Sequence, residues 1–223
     1  MSGARPTSSR AGTGAGAHPA ALSRAQVRAA LGGRRIEAIV IGGSAGGVDA
    51  LVALLPGIPA GYTLPVFCML HLPADRESRL AELFDERLPV PVREALDKAS
   101  IAPGTIYFAG PGYHLSVERD RTFSLSCEPP VAFARPAIDV LMESAADAYG
   151  PNLAAILLTG ANHDGATGMA AIHARGGFTV VQDPQDAQVP IMPQEALRRI
   201  KPNLVLPLAA IHALLPMLER EEP

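Results

Sequence analysis

The 223-residue chain has few cysteines and no long hydrophobic run, and these absences exclude several classes of protein. Cys68 and Cys127 are too few for a disulfide framework or a cysteine-based metal site. The six histidines show no paired spacing of the His-Glu-x-x-His kind that holds zinc on a helix. No apolar run reaches the ~18 residues needed to span a bilayer. We therefore expect no metal, no cofactor, no membrane insertion and a cytoplasmic location.

Acidic side chains are missing from residues 1–35, which hold six of the 19 lysine and arginine residues. This Ser/Ala/Gly-rich stretch cannot bury enough apolar surface to order itself, so we expect a disordered leader over residues 1–35. Within it, Pro19 is suited to open one short helix that would run to Leu31. The remaining body carries 13 basic against 22 acidic residues. That negative balance disfavours nucleic acid as a partner.

A glycine-flanked serine follows the first β-branched apolar run. Ser44 lies between residues 36–41 and an apolar-periodic segment that begins at Gly47. A serine on a strand-to-helix turn is lifted clear of the backbone, near the positive end of the helix, where an alkoxide and an oxyanion are favoured. A ligand-binding turn is the alternative. However, Ser44 takes the place of the central glycine of the dinucleotide fingerprint, and no lysine precedes Lys98 to complete a P-loop.

Two further polar motifs follow apolar runs that are predicted to be strands. The run LPVFCML ends at His71, and NLAAILL ends shortly before Asp164. Since the carboxyl ends of parallel strands meet at one edge of a sheet, Ser44, His71 and Asp164 could act as nucleophile, general base and base-orienting carboxylate. His71 could instead be an ordinary polar strand end, and Asp164 a turn or N-cap residue. His163 is a rival for the base.

Helical and strand patterns alternate along the rest of the chain. Residues 75–88 repeat apolar side chains at helical spacing, and residues 134–150 return to helix, with Asp139 near the first turn rather than in the chemistry. Residues 90–127 contain four short strand patterns, with a charged hairpin tip at 118–121. The pattern predicts an α/β fold with a doubly wound, mostly parallel, Rossmann-like sheet and an antiparallel hairpin insertion.

Four separated motifs resemble, in one order, those of the catalytic domain of the bacterial chemotaxis protein-glutamate methylesterase family, CheB. They are IGGSAGG around Ser44, LHLP around His71, RPAIDVLMESAA from Arg135 and LTGANHDGATGM from Leu158. The resemblance runs from about residue 36 to about residue 215. It implies that Ser44 attacks the γ-carbonyl of a methylated glutamate in a chemoreceptor, that His71 moves the proton, and that Asp164 holds the imidazole. Family members also deamidate receptor glutamines.

Three other residues are assigned to the site by this resemblance. The family usually has threonine where Ala45 stands, and methionine at the position of Ala161, whose backbone N–H helps to hold the oxyanion. Met192 lies in a retained Met-Pro-x-x-Ala stretch that is expected to border the site. An oxyanion hole made of backbone amides can survive a side-chain change, so these departures bear on rate and substrate choice more than on reaction type.

The domain boundaries follow from the same resemblance. We expect a leader over residues 1–35 and a methylesterase domain over residues 36–218. Family members commonly carry an N-terminal phosphoacceptor receiver domain, and about 35 residues are too few to form one, so we expect none in this chain.

Two other functions stay open. A generic α/β-hydrolase matches the Gly-x-Ser-x-Gly pattern at residues 42–46, but that family orders its triad as serine, acid and histidine, whereas His71 precedes Asp164 here. A catalytically weak scaffold or sensor that kept the fold is the second alternative, which Ala45 and Ala161 leave open.

Overall fold

Seven parallel strands form the central sheet of the computed structural model, which describes residues 22–71 and 78–219. The strands of the protein are β1 (Ala38–Gly43), β2 (Val66–Leu70), β3 (Val92–Glu94), β4 (Ile106–Phe108), β5 (His114–Val117), β6 (Phe123–Ser126), β7 (Leu153–Leu157), β8 (Phe178–Gln182) and β9 (Leu204–Leu206). The sheet order is β3-β4-β2-β1-β7-β8-β9, and β5 pairs with β6 as a separate antiparallel hairpin. The predicted fold class is confirmed.

Helices cover both faces of the sheet. They are α1 (Arg24–Leu31), α2 (Gly47–Leu54), α3 (Leu80–Asp85), α4 (Ile138–Tyr149), α5 (Ala166–Ala174), α6 (Ile191–Arg199) and α7 (Leu208–Leu218). Helices α1, α2, α3 and α7 pack on one face, whereas α4, α5, α6 and the hairpin pack on the other. Strands β1, β2 and β7 are buried along their whole length, which explains their continuous apolar runs.

The winding of the sheet reverses at β1. Its register with β2 pairs Gly43 with Leu70, and its register with β7 pairs Gly42 with Leu157, so the carboxyl ends of the three strands lie at about the same level. The chain builds outward from β1 through β2 on one side and continues from β7 on the other. Such a switch point opens a crevice at the carboxyl edge, where ligand sites of doubly wound sheets form.

The region between residues 90 and 127 differs from a purely antiparallel insertion. Strands β3 and β4 extend the main sheet in parallel, and only β5 and β6 form an antiparallel pair. The charged tip is not simply solvated either, because the Arg121 guanidinium lies 3.4 Å from the centre of the Tyr149 ring and donates to Glu37 Oε2 at 3.3 Å. Stacking on an aromatic ring gives an arginine in a turn a fixed place on the body.

The expected disordered leader differs from the structure over residues 22–35. Helix α1 begins at Arg24 because Ser23 and Gln26 form a capping box, in which Ser23 Oγ accepts from the Gln26 N–H and Gln26 Oε1 accepts from the Ser23 N–H. Val27 is buried in the core, so burial of one apolar side chain fixes the helix to the body. Residues 1–21, including Pro19, lie outside the described residues.

The helix expected over residues 75–88 is shorter in the structure. Residues 75–77 lie outside the described residues, and α3 begins at Leu80. Phe84 is its buried member and stacks on Phe108 of β4 with ring centres 5.3 Å apart. Within residues 22–71 and 78–219, no helix combines the length and the apolar character required to cross a bilayer.

Candidate active site

Ser44, His71 and Asp164 lie together at the carboxyl edge of three adjacent strands. Ser44 is the first residue after β1, His71 is the first after β2, and Asp164 lies in the loop between β7 and α5. The strand order β2-β1-β7 therefore brings three segments that are distant in sequence to one point. This is the edge at which sequence reasoning expected them to meet.

A chain of two hydrogen bonds joins the three side chains. Ser44 Oγ lies 3.1 Å from His71 Nδ1, and His71 Nε2 lies 2.6 Å from Asp164 Oδ2. A carboxylate only accepts, so Nε2 carries the proton toward Asp164, and the unprotonated Nδ1 accepts from the serine hydroxyl. The imidazole is thus oriented opposite to the chymotrypsin arrangement, in which Nε2 faces the serine. Both arrangements place an unprotonated nitrogen against the nucleophile.

Asp164 is fixed by backbone donors as well as by His71. Its side chain is 0% exposed, and it accepts from the N–H groups of Ile138 at 2.7 Å, Asp139 at 2.9 Å and Gly165 at 2.9 Å. The first two belong to the first turn of α4, whose N-cap residue supplies no capping side chain of its own. Asp164 caps α4 from another part of the chain, and the positive end of the helix stabilises its charge.

Asp139 in turn accepts from the N-terminus of the next helix, α5. Its Oδ1 accepts from the N–H of Gly168, in the first turn of α5, at 2.7 Å. Burial raises the pKa of Asp139; the bond from Gly168 lowers it, and the nearby charge of Asp164 raises it further. The two carboxylates therefore tie the N-termini of α4 and α5 to each other. Sequence reasoning placed Asp139 correctly in the first turn, but it missed this coupling.

His114 completes the N-terminus of α4. It is buried on β5, where its Nδ1 accepts from the Ala137 N–H at 3.2 Å and its Nε2 donates to the Pro129 carbonyl at 3.1 Å. With one ring nitrogen accepting and the other donating, the imidazole is neutral. Sequence reasoning assigned no role to His114, because nothing in its local pattern indicates a partner 23 residues away.

Ala45 and Ala161 present backbone amides beside the triad. The N–H of Ser44 donates to the Thr159 carbonyl at 2.9 Å. By contrast, the amides of Ala45 and Ala161 donate to no acceptor among the described residues. Both residues are exposed.

The turn after Ser44 requires glycine at residue 46. Gly46 has φ +77° and forms the N-cap of α2, and a Cβ on it would lie 2.3 Å from Gln188 Oε1. Any other residue there would be strained and would displace Gln188. Gly46 thus has a steric role in setting the turn.

Met192 does not border the pocket. Its side chain is fully buried against Gly160, where an added Cβ would lie 2.6 Å from its Sδ, and its N–H donates to the Gly160 carbonyl at 3.0 Å. Met192 supports the loop that carries Ala161 because α6 turns this side chain inward. The preceding residue, Ile191, is 44% exposed and lines the pocket instead.

A cavity of about 820 Å³ opens beside His71. His71, Ala161 and His163 line it on the side of the strand ends, and Phe133 and Arg135 line it from the loop before α4. The His163 side chain bonds neither to Ser44 nor to Asp164 in the described part of the chain. The structure therefore brings His71, and not its rival, to the serine. Residues 22–71 and 78–219 hold no group of three or more side chains placed to bind a metal ion.

Comparisons with known proteins agree with this geometry. The family model for CheB methylesterase matches residues 39–215. A putative protein-glutamate methylesterase/protein-glutamine glutaminase of Leptospira interrogans is 41% identical over 175 residues, which cover 78% of this chain and 91% of the relative. A protein-glutamate methylesterase/protein-glutamine glutaminase of Hahella chejuensis is 40% identical over 179 residues, covering 78% of this chain and 49% of the relative. The crystal structure of the Thermotoga maritima CheB methylesterase catalytic domain superposes with a TM-score of 0.76 at 27% identity, covering 82% of this chain and 97% of that chain.

Proposed function

Because this chain belongs to the CheB methylesterase family, we propose that it hydrolyses the γ-methyl esters of glutamate side chains in chemoreceptors. Ser44 is the nucleophile, His71 the general base and Asp164 the residue that holds the imidazole. One observation carries the proposal: an unbroken hydrogen-bond chain, 3.1 Å and then 2.6 Å long, links these side chains across three adjacent strand ends.

The reaction begins with attack of Ser44 Oγ on the ester carbonyl carbon. Nδ1 of His71 takes the hydroxyl proton as the new C–O bond forms, and the resulting imidazolium is stabilised by Asp164 through Nε2. The carbonyl oxygen becomes an oxyanion. The backbone amides of Ala45 and Ala161 are its proposed donors, supported by the N-terminus of α2. Since these donors are main-chain groups, the alanines retain the feature that the chemistry needs.

The tetrahedral intermediate then expels the alkoxide. His71 returns its proton to the departing oxygen, so methanol leaves and Ser44 carries the glutamyl acyl group. Water attacks this ester while His71 takes one of its protons, and the serine leaves as the proton returns to Oγ. A free glutamate carboxyl is the product. The same steps with ammonia as the leaving group deamidate a glutamine, as the names of the relatives indicate for those proteins.

Methanol release from a methylated chemoreceptor tests the proposal. Ser44→Ala is expected to lower turnover on the order of a millionfold, because loss of a triad nucleophile leaves only the background reaction. Ser116→Ala, a serine on β5 outside the pocket lining, is the matched control and is expected to keep wild-type turnover. Activity of a few per cent in folded Ser44→Ala would show that another residue is the nucleophile.

A further inference from the structure

A tight turn before α4 carries a fully exposed aromatic side chain. Two hydrogen bonds between Val131 and Ala134 close the turn. The Val131 N–H donates to the Ala134 carbonyl at 3.1 Å, and the Ala134 N–H donates to the Val131 carbonyl at 2.9 Å. Phe133, at its tip, is 100% exposed. The fold therefore gains no packing from a ring that water solvates poorly.

The backbone of this turn is also unfavourable for its residues. Ala132 has φ +48° and Phe133 has φ +64°. Two successive positive φ values are the signature of a type I′ turn, in which asparagine and glycine are preferred because a Cβ crowds the backbone there. The sequence thus holds an aromatic residue in a conformation that such residues avoid. Backbone strain of this kind is typical of functional sites.

The turn borders the pocket that contains His71. Ala132, Phe133 and Ala134 all line it, and Ile191 adds a second exposed apolar side chain to the same lining. A volume of about 820 Å³ is in the range of roughly 300–1,000 Å³ that accommodates drug-sized ligands. A glutamyl methyl ester has only a few atoms. Most of the pocket and its apolar edge must therefore face whatever carries the ester.

Arg135 holds the base of the turn. Its Nη1 donates to the carbonyls of Cys127 at 3.0 Å and Glu128 at 3.2 Å, and these bonds join the turn to the segment that follows β6. These bonds hold the backbone of the turn that carries Phe133, so a partner that covers the ring has to order only the side chain.

We propose that Phe133 is a substrate anchor, whose ring packs against apolar side chains of the protein that carries the glutamyl ester and so selects protein-borne esters over small ones. The inference rests on the proposed function for the identity of the substrate. Covering one aromatic side chain on binding is worth roughly a 10- to 100-fold change in affinity. The anchor acts on binding of the carrier and leaves the chemistry to Ser44 and His71.

The test compares two substrates and one binding reaction. The kcat/KM values of the full chain and of Phe133→Ala are measured on methylated chemoreceptor and on N-acetylglutamate γ-methyl ester. The ratio of receptor to small-ester efficiency is expected to fall roughly 10- to 100-fold in Phe133→Ala. Leu96→Ala is the control, because Leu96 is 63% exposed but lines a different cavity, and it is expected to keep the wild-type ratio.

Binding is measured separately in Ser44→Ala, which holds substrate without turnover. Adding Phe133→Ala to it is expected to weaken the Kd for methylated receptor by the same factor. If the receptor binds in a Phe133-dependent manner without being hydrolysed by the wild type, the anchor stands and the proposed esterase function fails. An unchanged Kd, or equal losses on both substrates, would overturn the anchor while wild-type methanol release keeps the proposed function.

Discussion

Asp164 and Phe133 have opposite environments, although one binds His71 and the other lines the same pocket as His71. Asp164 is 0% exposed with both oxygens in hydrogen bonds, whereas Phe133 is 100% exposed in a strained turn. A group that must hold an imidazole to within tenths of an ångström needs fixed partners. A side chain that contacts a partner protein must stay exposed until the partner binds. The free protein therefore bears the free-energy cost of exposing that side chain to water.

Replacement of the buried Asp164 by asparagine is expected to have the largest effect on activity. An amide next to Nε2 favours the wrong imidazole tautomer, and turnover is expected to fall about 10⁴-fold. Asparagine also has one acceptor oxygen where the carboxylate has two, so part of the α4 cap is lost. Turnover on methylated receptor measures the first effect, and thermal unfolding measures the second. His163→Ala, the adjacent residue, should lose far less activity; the reverse order would move the orienting role away from Asp164.

Asp139 tests whether the support of Asp164 extends to α5. Asp139→Ala leaves the buried N–H of Gly168 without its acceptor, and the free energy of unfolding is expected to fall by about 1–3 kcal/mol in urea titration. Turnover should fall much less than in Asp164→Asn, since it is the backbone N–H of Asp139 that reaches Asp164. Asp139→Asn keeps an acceptor oxygen and should recover most of the loss. Equal stability of Asp139→Ala and wild type would contradict the coupling of the two helices.

The pH dependence of Asp139 gives a smaller effect with a definite sign. Burial raises its pKa above the ordinary 3.8, so the folded state holds this proton more tightly than the unfolded chain. The associated stabilisation is present below pH 3.8 and is lost as pH rises through the raised value. Asp139→Asn has no such titration. The stability advantage of wild type over Asp139→Asn should therefore shrink from acidic to neutral pH in thermal unfolding, and an advantage that grows would contradict the raised pKa.

The sequence was sufficient to predict the parts of the site that depend on strand ends. Continuous apolar runs identify β1, β2 and β7, and parallel topology then places Ser44, His71 and Asp164 at one edge. The roles of Asp139 and His114 were missed because both depend on where the N-terminus of α4 lies in space. Strands β3 and β4 were grouped with the hairpin because each has only three residues, too few for the sequence pattern to indicate the direction of pairing.

Phe133→Gly tests whether the exposed turn is strained, and its matched control is Phe133→Ala. Both variants lack the ring, so both should bind methylated receptor equally weakly. They differ in the Cβ, which makes a positive φ cost about 1–2 kcal/mol in a non-glycine residue. Glycine loses roughly 0.5–1 kcal/mol more conformational freedom on folding than alanine, which offsets part of that relief. Urea unfolding should therefore find Phe133→Gly more stable than Phe133→Ala by up to about 1 kcal/mol. If the alanine variant is as stable or more so, the turn stores no strain, and exposure beside His71 alone would mark Phe133 as the anchor.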